Sequence, residues 1–564
     1  MREMRITILD GYVDEPACLG VPPYVSPYIR YIAGAARDAG AEYRYLTIDQ
    51  WRKGNAIQEC DALLIFAGAI VPGRYIRGMP MSFREAREAA QSFHGTKILA
   101  GACAKLGFGG TGGREPVAPN TLKDDIDFFA TKDADAFVYD LLKNGSAENR
   151  RRTQEEWRRW PVLGAEIVRQ HPDFPQPLIA ELETYRGCVR WISGGCSFCM
   201  EPLFGEPVFR QPEDVVAEVE ALSKLGVTNF RIGAQSCFFS YLAEGVGETE
   251  TPKPNVAAIE KLLKGICAAA PLLKVLHIDN ANPAVIAAHP GESEKIAKLV
   301  VEYCTPGNVA ALGMESADPA VAKANNLNAT TDDVMKAVEL LNRMGGGRGA
   351  SGMPHFLPGI NIIHGLEGET KETYELNFQF LKSILDKGLL LRRINIRQVM
   401  PLRREFDVHF HNLFVKYKEK IRQEIDSPML RRMLPEGTLL RGVYLEMRDG
   451  KTTFGRQIGT YPLLVGFPYE LPIERFIDCA VVGYGLRSIT AVECPLDANK
   501  APIGALAALP GIGEKRAIRI FNARPLRSEQ DLAACMDDEK VAKRAAKFLK
   551  IGECAPNSMD GAYR

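Results

Sequence analysis

Six strand-like runs recur between Leu178 and Met400, each separated from the next by a stretch of helical character. They are LIAELETY (178–185), VTNFRI (227–232), LKVLHID (273–279), NVAALGMES (308–316), FLPGINIIHG (356–365) and RINIRQVM (393–400). Six β/α units in tandem favour a parallel barrel or partial barrel, because right-handed crossovers place the helices on one face of the sheet. Chemistry in such folds collects at the C-terminal ends of the strands. The clearest helix is PEDVVAEVEALSKLG (212–226): Pro212 suits the first position, acids fill the first turn and Gly226 suits the C-cap. Val215, Val216, Val219 and Leu222 share one face of it, ready to pack on the sheet.

Directly after the first of these strands the sequence reads RGCVRWISGGCSFCMEP, which sets Cys188, Cys196 and Cys199 in a C-x7-C-x2-C pattern. Thiolates are soft ligands suited to iron–sulfur clusters or zinc. Three ligands rather than four is the informative count. A [4Fe–4S] cluster held by three cysteines keeps one iron open to an external chelator, whereas structural zinc takes four protein ligands. A zinc site completed by Cys237 or a histidine, and three buried unliganded thiols, are the plainer alternatives.

The phrase ETYRGC…CSFC after a strand, followed by RQPEDVVAEV, resembles the radical S-adenosylmethionine (SAM) superfamily. The likeness continues in GMESADPAVAKANNLNATTDDV (313–334), similar to a G-x-E-S…K-x-x-N segment of the methylthiotransferases. NIIHGLEGET (361–370) is similar to their G-x-x-G-E-T strand end, with Glu367 where proline is usual. Together these cover roughly residues 177–400 in the expected order. The first cysteine gap departs from the commonest spacing: seven residues stand where three are usual.

The resemblance implies a [4Fe–4S] cluster on Cys188, Cys196 and Cys199, with its open iron chelating the amino and carboxylate groups of SAM. Reductive cleavage would yield methionine and a 5′-deoxyadenosyl radical that abstracts hydrogen from a C–H bond, fed by an electron donor such as a ferredoxin or flavodoxin. Carried over by position, Gly233, Ala234 and Gln235 fall where the family binds the SAM amino group, with Gln in place of the usual acid. Glu315 and Ser316 fall where the fourth strand meets the ribose or methionine moiety, and Asp279 and Asn280 end the third strand. Each of these residues has the alternative role of a solvated strand-end polar group.

The remaining chain is too long for one core, and the expected organisation has five parts. Residues 1–144 form an open parallel α/β sheet: RITILD (5–10), ALLIFAG (62–68) and KILAG (97–101) read as strands and SPYIRYIAGAARDAG (26–40) as a helix. GACAKLGFGGTGG (101–113) lies where such sheets bind ligands. Residues 145–176 are a charged connector or surface helix, 177–433 the barrel with a helical extension, 434–496 a small all-β barrel and 497–564 a helix-hairpin-helix.

The first part resembles cobalamin-binding-like domains, without the D-x-H-x-x-G motif of histidine-ligated cobalamin. It is also similar to the N-terminal domain of methylthiotransferases, whose second cluster would draw on Cys18, Cys60 and Cys103, although the cysteine usual after the central strand is missing. Residues 434–496, with an Asp449–Gly450 turn, resemble the RNA-binding TRAM barrel. LPGIGEKRA matches a hairpin in which Gly511 and Gly513 permit a tight turn aimed at a phosphate, with Lys515 and Arg516 adding charge. An oligomerisation or packing hairpin is the alternative. The combination of barrel and hairpin resembles an archaeal group of that description.

Basic and acidic residues balance at 70 each, so a nucleic-acid surface must be local. Thirteen mostly scattered cysteines, the absence of a signal-like apolar run at the N-terminus and the lack of a membrane-spanning stretch point to the reducing cytoplasm. Three readings follow: a radical SAM enzyme modifying a nucleic acid such as tRNA, one acting on a small molecule or protein, and a non-catalytic zinc-dependent nucleic-acid-binding protein.

Overall fold

The structure is a computed structural model and describes residues 4–12, 23–68, 78–109 and 114–552. It divides into two compact units, Met1–Gly347 with His355–Glu419 and Arg348–Pro354 with Lys420–Arg564.

The first unit opens with a five-stranded parallel sheet in the spatial order Glu42–Thr47, Arg5–Asp10, Ala62–Phe66, Thr96–Ala100, Phe128–Ala130. Numbered along the chain this is 2-1-3-4-5, a doubly wound order whose ligand crevice lies at the C-terminal strand ends. The three strands expected from apolar runs form the interior of the sheet. The two outer strands were not legible, because an edge strand is buried on fewer sides: Glu42–Thr47 keeps Glu42 and Arg44 exposed. The last strand is therefore Phe128–Ala130 rather than KILAG, and residues 110–113 of the glycine-rich stretch lie outside the described residues.

The helix Pro27–Asp38 is capped by Ser26, whose hydroxyl accepts from Tyr28 N at 3.3 Å. Residues Pro27 to Ala36 are all buried, because a second helix, Gln154–Leu163, lies against it. A Cβ on Gly34 would strike the Trp160 backbone, and one on Gly164 would strike Arg30 O, so close approach requires glycine at both places. Residues 145–160 are thus more than a surface connector. Trp157 and Trp160 are buried, and Arg152 reaches Asp135 at 2.7 Å and Glu183 at 3.3 Å.

The same unit continues as an incomplete parallel barrel of six strands: Ile179–Glu183, Asn229–Gly233, Val275–Ile278, Asn308–Glu315, Phe356–His364 and Arg393–Gln398. The third resumes after Asp279 as Asn280–Ala281, which pairs with the fourth. Tyr24–Val25 adds a short parallel strand at the free edge of the first. Helix Pro212–Lys224 forms as its termini predict and buries Val215, Val219 and Leu222. Glu218, not Val216, completes the buried face. It is held there by Arg30 at 2.6 Å and Arg210 at 2.6 Å, which compensate a charge taken out of water.

In the second unit, Leu439–Asp449, Thr452–Gln457, Leu464–Phe467, Arg475–Tyr484 and Ser488–Glu493 close into a small five-stranded barrel. Asp449 pairs with Thr452, so the hairpin turns on Gly450–Lys451, one residue later than expected. Among the described residues four short helices follow: Ile503–Ala508, Gly513–Asn522, Glu529–Ala534 and Glu539–Ala546. The second pair was not expected from the sequence. Its helices are short but well capped by Ser528 and Asp538. No helix among the described residues is long and apolar enough to cross a membrane.

Candidate active site

The cysteine loop leaves the first barrel strand through Tyr185–Arg186, which pairs antiparallel with Val208–Phe209 and closes the loop at its base. The Tyr185 and Phe209 rings meet at 4.8 Å, and the Tyr185 hydroxyl accepts from Cys237 N at 2.8 Å. Cys188 caps a 3-10 helix, Val189–Ser193, built from residues of the long gap. Gly194 and Gly195 then turn the chain at φ +79 and +62. A side chain on Gly195 would also enter Pro202. The backbone N–H of Cys199 donates to Cys196 O at 3.1 Å, setting the close C-x2-C pair as a turn.

Two arginines hold this loop. Arg190, buried, donates to Cys196 Sγ at 3.1 Å, to Asn326 O at 2.7 Å and to Glu250 Oε2 at 3.2 Å. Arg403 donates to the carbonyls of Gly194 at 2.7 Å and Cys196 at 2.9 Å. Asn326, in the left-handed region at φ +52, donates to Ser193 O and Gly195 O. Asn325 Oδ1 accepts from the Ser197 hydroxyl at 2.8 Å, and its Nδ2 donates to Glu367 O at 2.9 Å. The three segments that carry the family likeness in sequence therefore meet at one place: the cysteine loop, the Asn325–Asn326 turn and the 365–369 turn.

The three thiols lie within electrostatic range of one another. Burial pushes Cys188 up to about 11, Cys196 up to about 12 and Cys199 up as well, and ionised neighbouring thiols push Cys196 and Cys199 further. The metal-free site thus carries protons that ligation displaces. Among the described residues no three His, Cys, Asp or Glu side chains are grouped as ligands of a single ion. A cubane binds each thiolate through a different iron, so its ligands stand wider apart than those around one zinc. Three thiols, glycines that keep the turn open and a guanidinium aimed at one sulfur fit an anionic [4Fe–4S] cluster.

The barrel lumen beyond the loop carries several polar groups. Along Phe356–His364, Ile360 and Ile362 are fully buried against helices while Asn361 and Ile363 are half-buried, which places the latter pair on the lumen face. Asn395 Nδ2 donates to Asn361 Oδ1 at 3.1 Å, and Arg397 Nε to Asn395 Oδ1 at 3.3 Å. Glu315 ends the fourth strand at a bulge, with φ +65. Desolvation pushes its carboxyl up to about 8 against the pull of Arg397. Among the described residues its Oε2 has no hydrogen-bond partner. Strained backbone with an unsatisfied acid is the signature of a ligand-facing position.

The other sequence-predicted residues are placed as follows. Gly233 ends the second strand, where a Cβ would enter the ion pair of Arg231 with Glu181. Ala234 follows at φ +49. Gln235 is buried and donates to Ile232 O at 3.0 Å, and Asn280 Nδ2 donates to its carbonyl at 3.2 Å. Asp279 is paired with Arg231, and Ser316 Oγ accepts from Asp318 N at 3.1 Å in a local turn. The Cys103 thiol is buried in the N-terminal core and donates to Gly68 O at 2.6 Å, while Cys60 donates to Ala62 O. Cys18 lies outside the described residues.

In the second unit, Gly511 and Gly513 take φ +80 and +62 and Lys515 is exposed. Arg516 is already engaged by Asp537 at 2.6 Å and Gly511 O at 2.5 Å. Residues the sequence reading missed are Arg190, Arg403, Asn361, Asn395 and Arg397. Arg190 stands inside the cysteine motif, and the period-two alternation of the fifth and sixth strands marks the others except Arg403, which has no local signal.

A partly enclosed cavity of about 90 Å³ adjoins the cysteine loop. Phe66, Gly101 and Thr131, at the strand ends of the N-terminal sheet, form one side, and Arg186, Met200 and Phe204 the other.

Residues 182–381 match the model of the Radical SAM superfamily. An uncharacterized protein of Methanocaldococcus jannaschii is 48% identical over 86% of this chain and 92% of its own length. An uncharacterized protein of Archaeoglobus fulgidus is 42% identical over 97% of this chain and 100% of its own. A more distant relative, the ribosomal protein uS12 methylthiotransferase of Elusimicrobium minutum, is 27% identical over 37% of this chain and 44% of its own. With three cysteines on a loop leaving the first strand of a six-stranded parallel barrel, the chain belongs to the radical SAM superfamily and is an enzyme of the [4Fe–4S] cluster and SAM.

Proposed function

We propose that this enzyme modifies a structured nucleic acid, tRNA, and that its C-terminal modules bind the nucleic-acid backbone. The observation carrying this reading is the turn at Leu509–Gly513 between Ile503–Ala508 and Gly513–Asn522, where left-handed Gly511 precedes and left-handed Gly513 opens a ten-residue helix bearing exposed Lys515. Backbone N–H groups at such a helix start suit a phosphate. In this reading residues 497–564 act as a helix-hairpin-helix and residues 434–496 as a TRAM-like RNA-binding barrel. Cys188, Cys196 and Cys199 hold the cluster, which supplies the electron for SAM cleavage. Glu315, Asn361, Asn395 and Arg397 line the SAM side of the lumen.

The test is nucleoside mass spectrometry of tRNA from a deletion strain, together with tRNA binding at several salt concentrations. A missing modified nucleoside and an affinity that falls steeply with salt support the reading. A second reading, a small organic substrate, is favoured by the lining of the cavity beside the cysteine loop, with its apolar Phe66, Met200 and Phe204 and its basic Arg186. An unchanged nucleoside profile with no salt-sensitive tRNA binding selects this second reading.

A further inference from the structure

We propose that Arg190, carried by the lengthened first gap of the cysteine loop, is a positioning residue that raises the reduction potential of the cluster through Cys196. This rests on the reading of Cys188, Cys196 and Cys199 as the cluster ligands.

The lengthened gap forms the 3-10 helix Val189–Ser193, and Arg190 is its second residue. Its guanidinium is buried and fixed by three partners at once: Cys196 Sγ, Asn326 O and Glu250 Oε2. Arg403, the other arginine at the loop, bonds backbone carbonyls instead, so Arg190 is the cation aimed at sulfur. Reduction adds an electron to a cluster that is already anionic with three thiolates. A fixed positive charge and an N–H···S hydrogen bond stabilise the reduced state more than the oxidised one, and both effects are strong where water is excluded. Glu250 acts in the opposite direction. At 3.2 Å from Arg190 Nε it neutralises part of that charge, and it is itself about one-third exposed.

A loop-stabilising role alone and an electrostatic role make different predictions for these two residues. Structural loss at either one would disturb the cluster in the same way. Electrostatic tuning requires that removing Arg190 and removing Glu250 move the potential in opposite directions.

The experiment uses the full chain reconstituted anaerobically with iron and sulfide, with the midpoint potential of the cluster read by EPR-monitored redox titration. Arg190→Gln shifts the midpoint to more negative values, Arg190→Lys falls between it and the wild type, and Glu250→Gln shifts it to more positive values. Shifts of the same sign in Arg190→Gln and Glu250→Gln, or no shift in either, overturn the proposal. If Arg190→Gln fails to retain iron, Arg190→Lys and Glu250→Gln decide it by the same opposite-sign criterion. Failure of the wild-type chain to take up a cluster overturns the ligand assignment itself, which iron content reports separately from the potential.

Discussion

Arg231 joins the first three barrel strands by a buried ion triad, and replacing it with methionine tests how these strands are held together. Its guanidinium pairs with Glu181 on the first strand and Asp279 at the end of the third, and all three side chains are at most 2% exposed. Removing the cation that both carboxylates share strands negative charge in a medium that solvates it poorly. Breaking a buried pair in this way costs about 3–5 kcal/mol. The unit contains roughly 400 residues, so its entropy of unfolding is on the order of 0.8 kcal/mol/K. The melting temperature of Arg231→Met should therefore fall by roughly 4–6 °C at pH 7 in a calorimetric scan. A triple variant with Glu181→Gln and Asp279→Asn added should recover most of it, because neutral groups leave no charge to solvate. An unchanged melting temperature, or no recovery in the triple variant, refutes the reasoning.

Gly195→Ala meets both a left-handed backbone and the Pro202 ring. The two costs sum to about 2–5 kcal/mol of local strain, and iron bound per chain after reconstitution should fall below that of wild type. Burial pushes the Asp10 carboxyl up to about 6, against the pull of Tyr45 and Tyr12. The folded state therefore binds this proton more tightly than the unfolded one. The associated stability, about 3 kcal/mol at most, is present below about pH 4 and lost as the pH rises through 6. Asp10→Asn should flatten the dependence of melting temperature on pH across that window. Lys515→Ala should weaken tRNA binding equally across sequences and reduce the slope of log affinity against log salt by about one.

What could be read from the sequence follows from which physical signals are local. The barrel strands were visible because fully buried ones such as Asn229–Gly233 make apolar runs and the half-buried sixth alternates with period two, and helix Pro212–Lys224 because its termini carry their own stop signals. The edge strands Glu42–Thr47 and Phe128–Ala130 were not, since edge strands need less apolar sequence. Glu218 looks like a surface acid until Arg30, 188 residues away, is folded onto it. The same limit applied at the site. Cys188, Cys196 and Cys199 announce themselves by spacing, and Asn326 by its place in the K-x-x-N segment. The guanidinium of Arg403 reaches the loop from more than 200 residues away and leaves no local mark. Asp279 sits where a ligand residue belongs but spends its carboxylate on Arg231, a distinction that only the fold reveals.

The central claim is that three thiolates hold a cluster with one iron left open to SAM. Anaerobic reconstitution of the full chain, followed by reduction in the presence of SAM, tests it most directly. The account predicts a brown protein with about four irons per chain that releases 5′-deoxyadenosine, and loss of both properties in Cys188→Ser, Cys196→Ser or Cys199→Ser. A colourless protein that binds a single zinc and leaves SAM intact would contradict it.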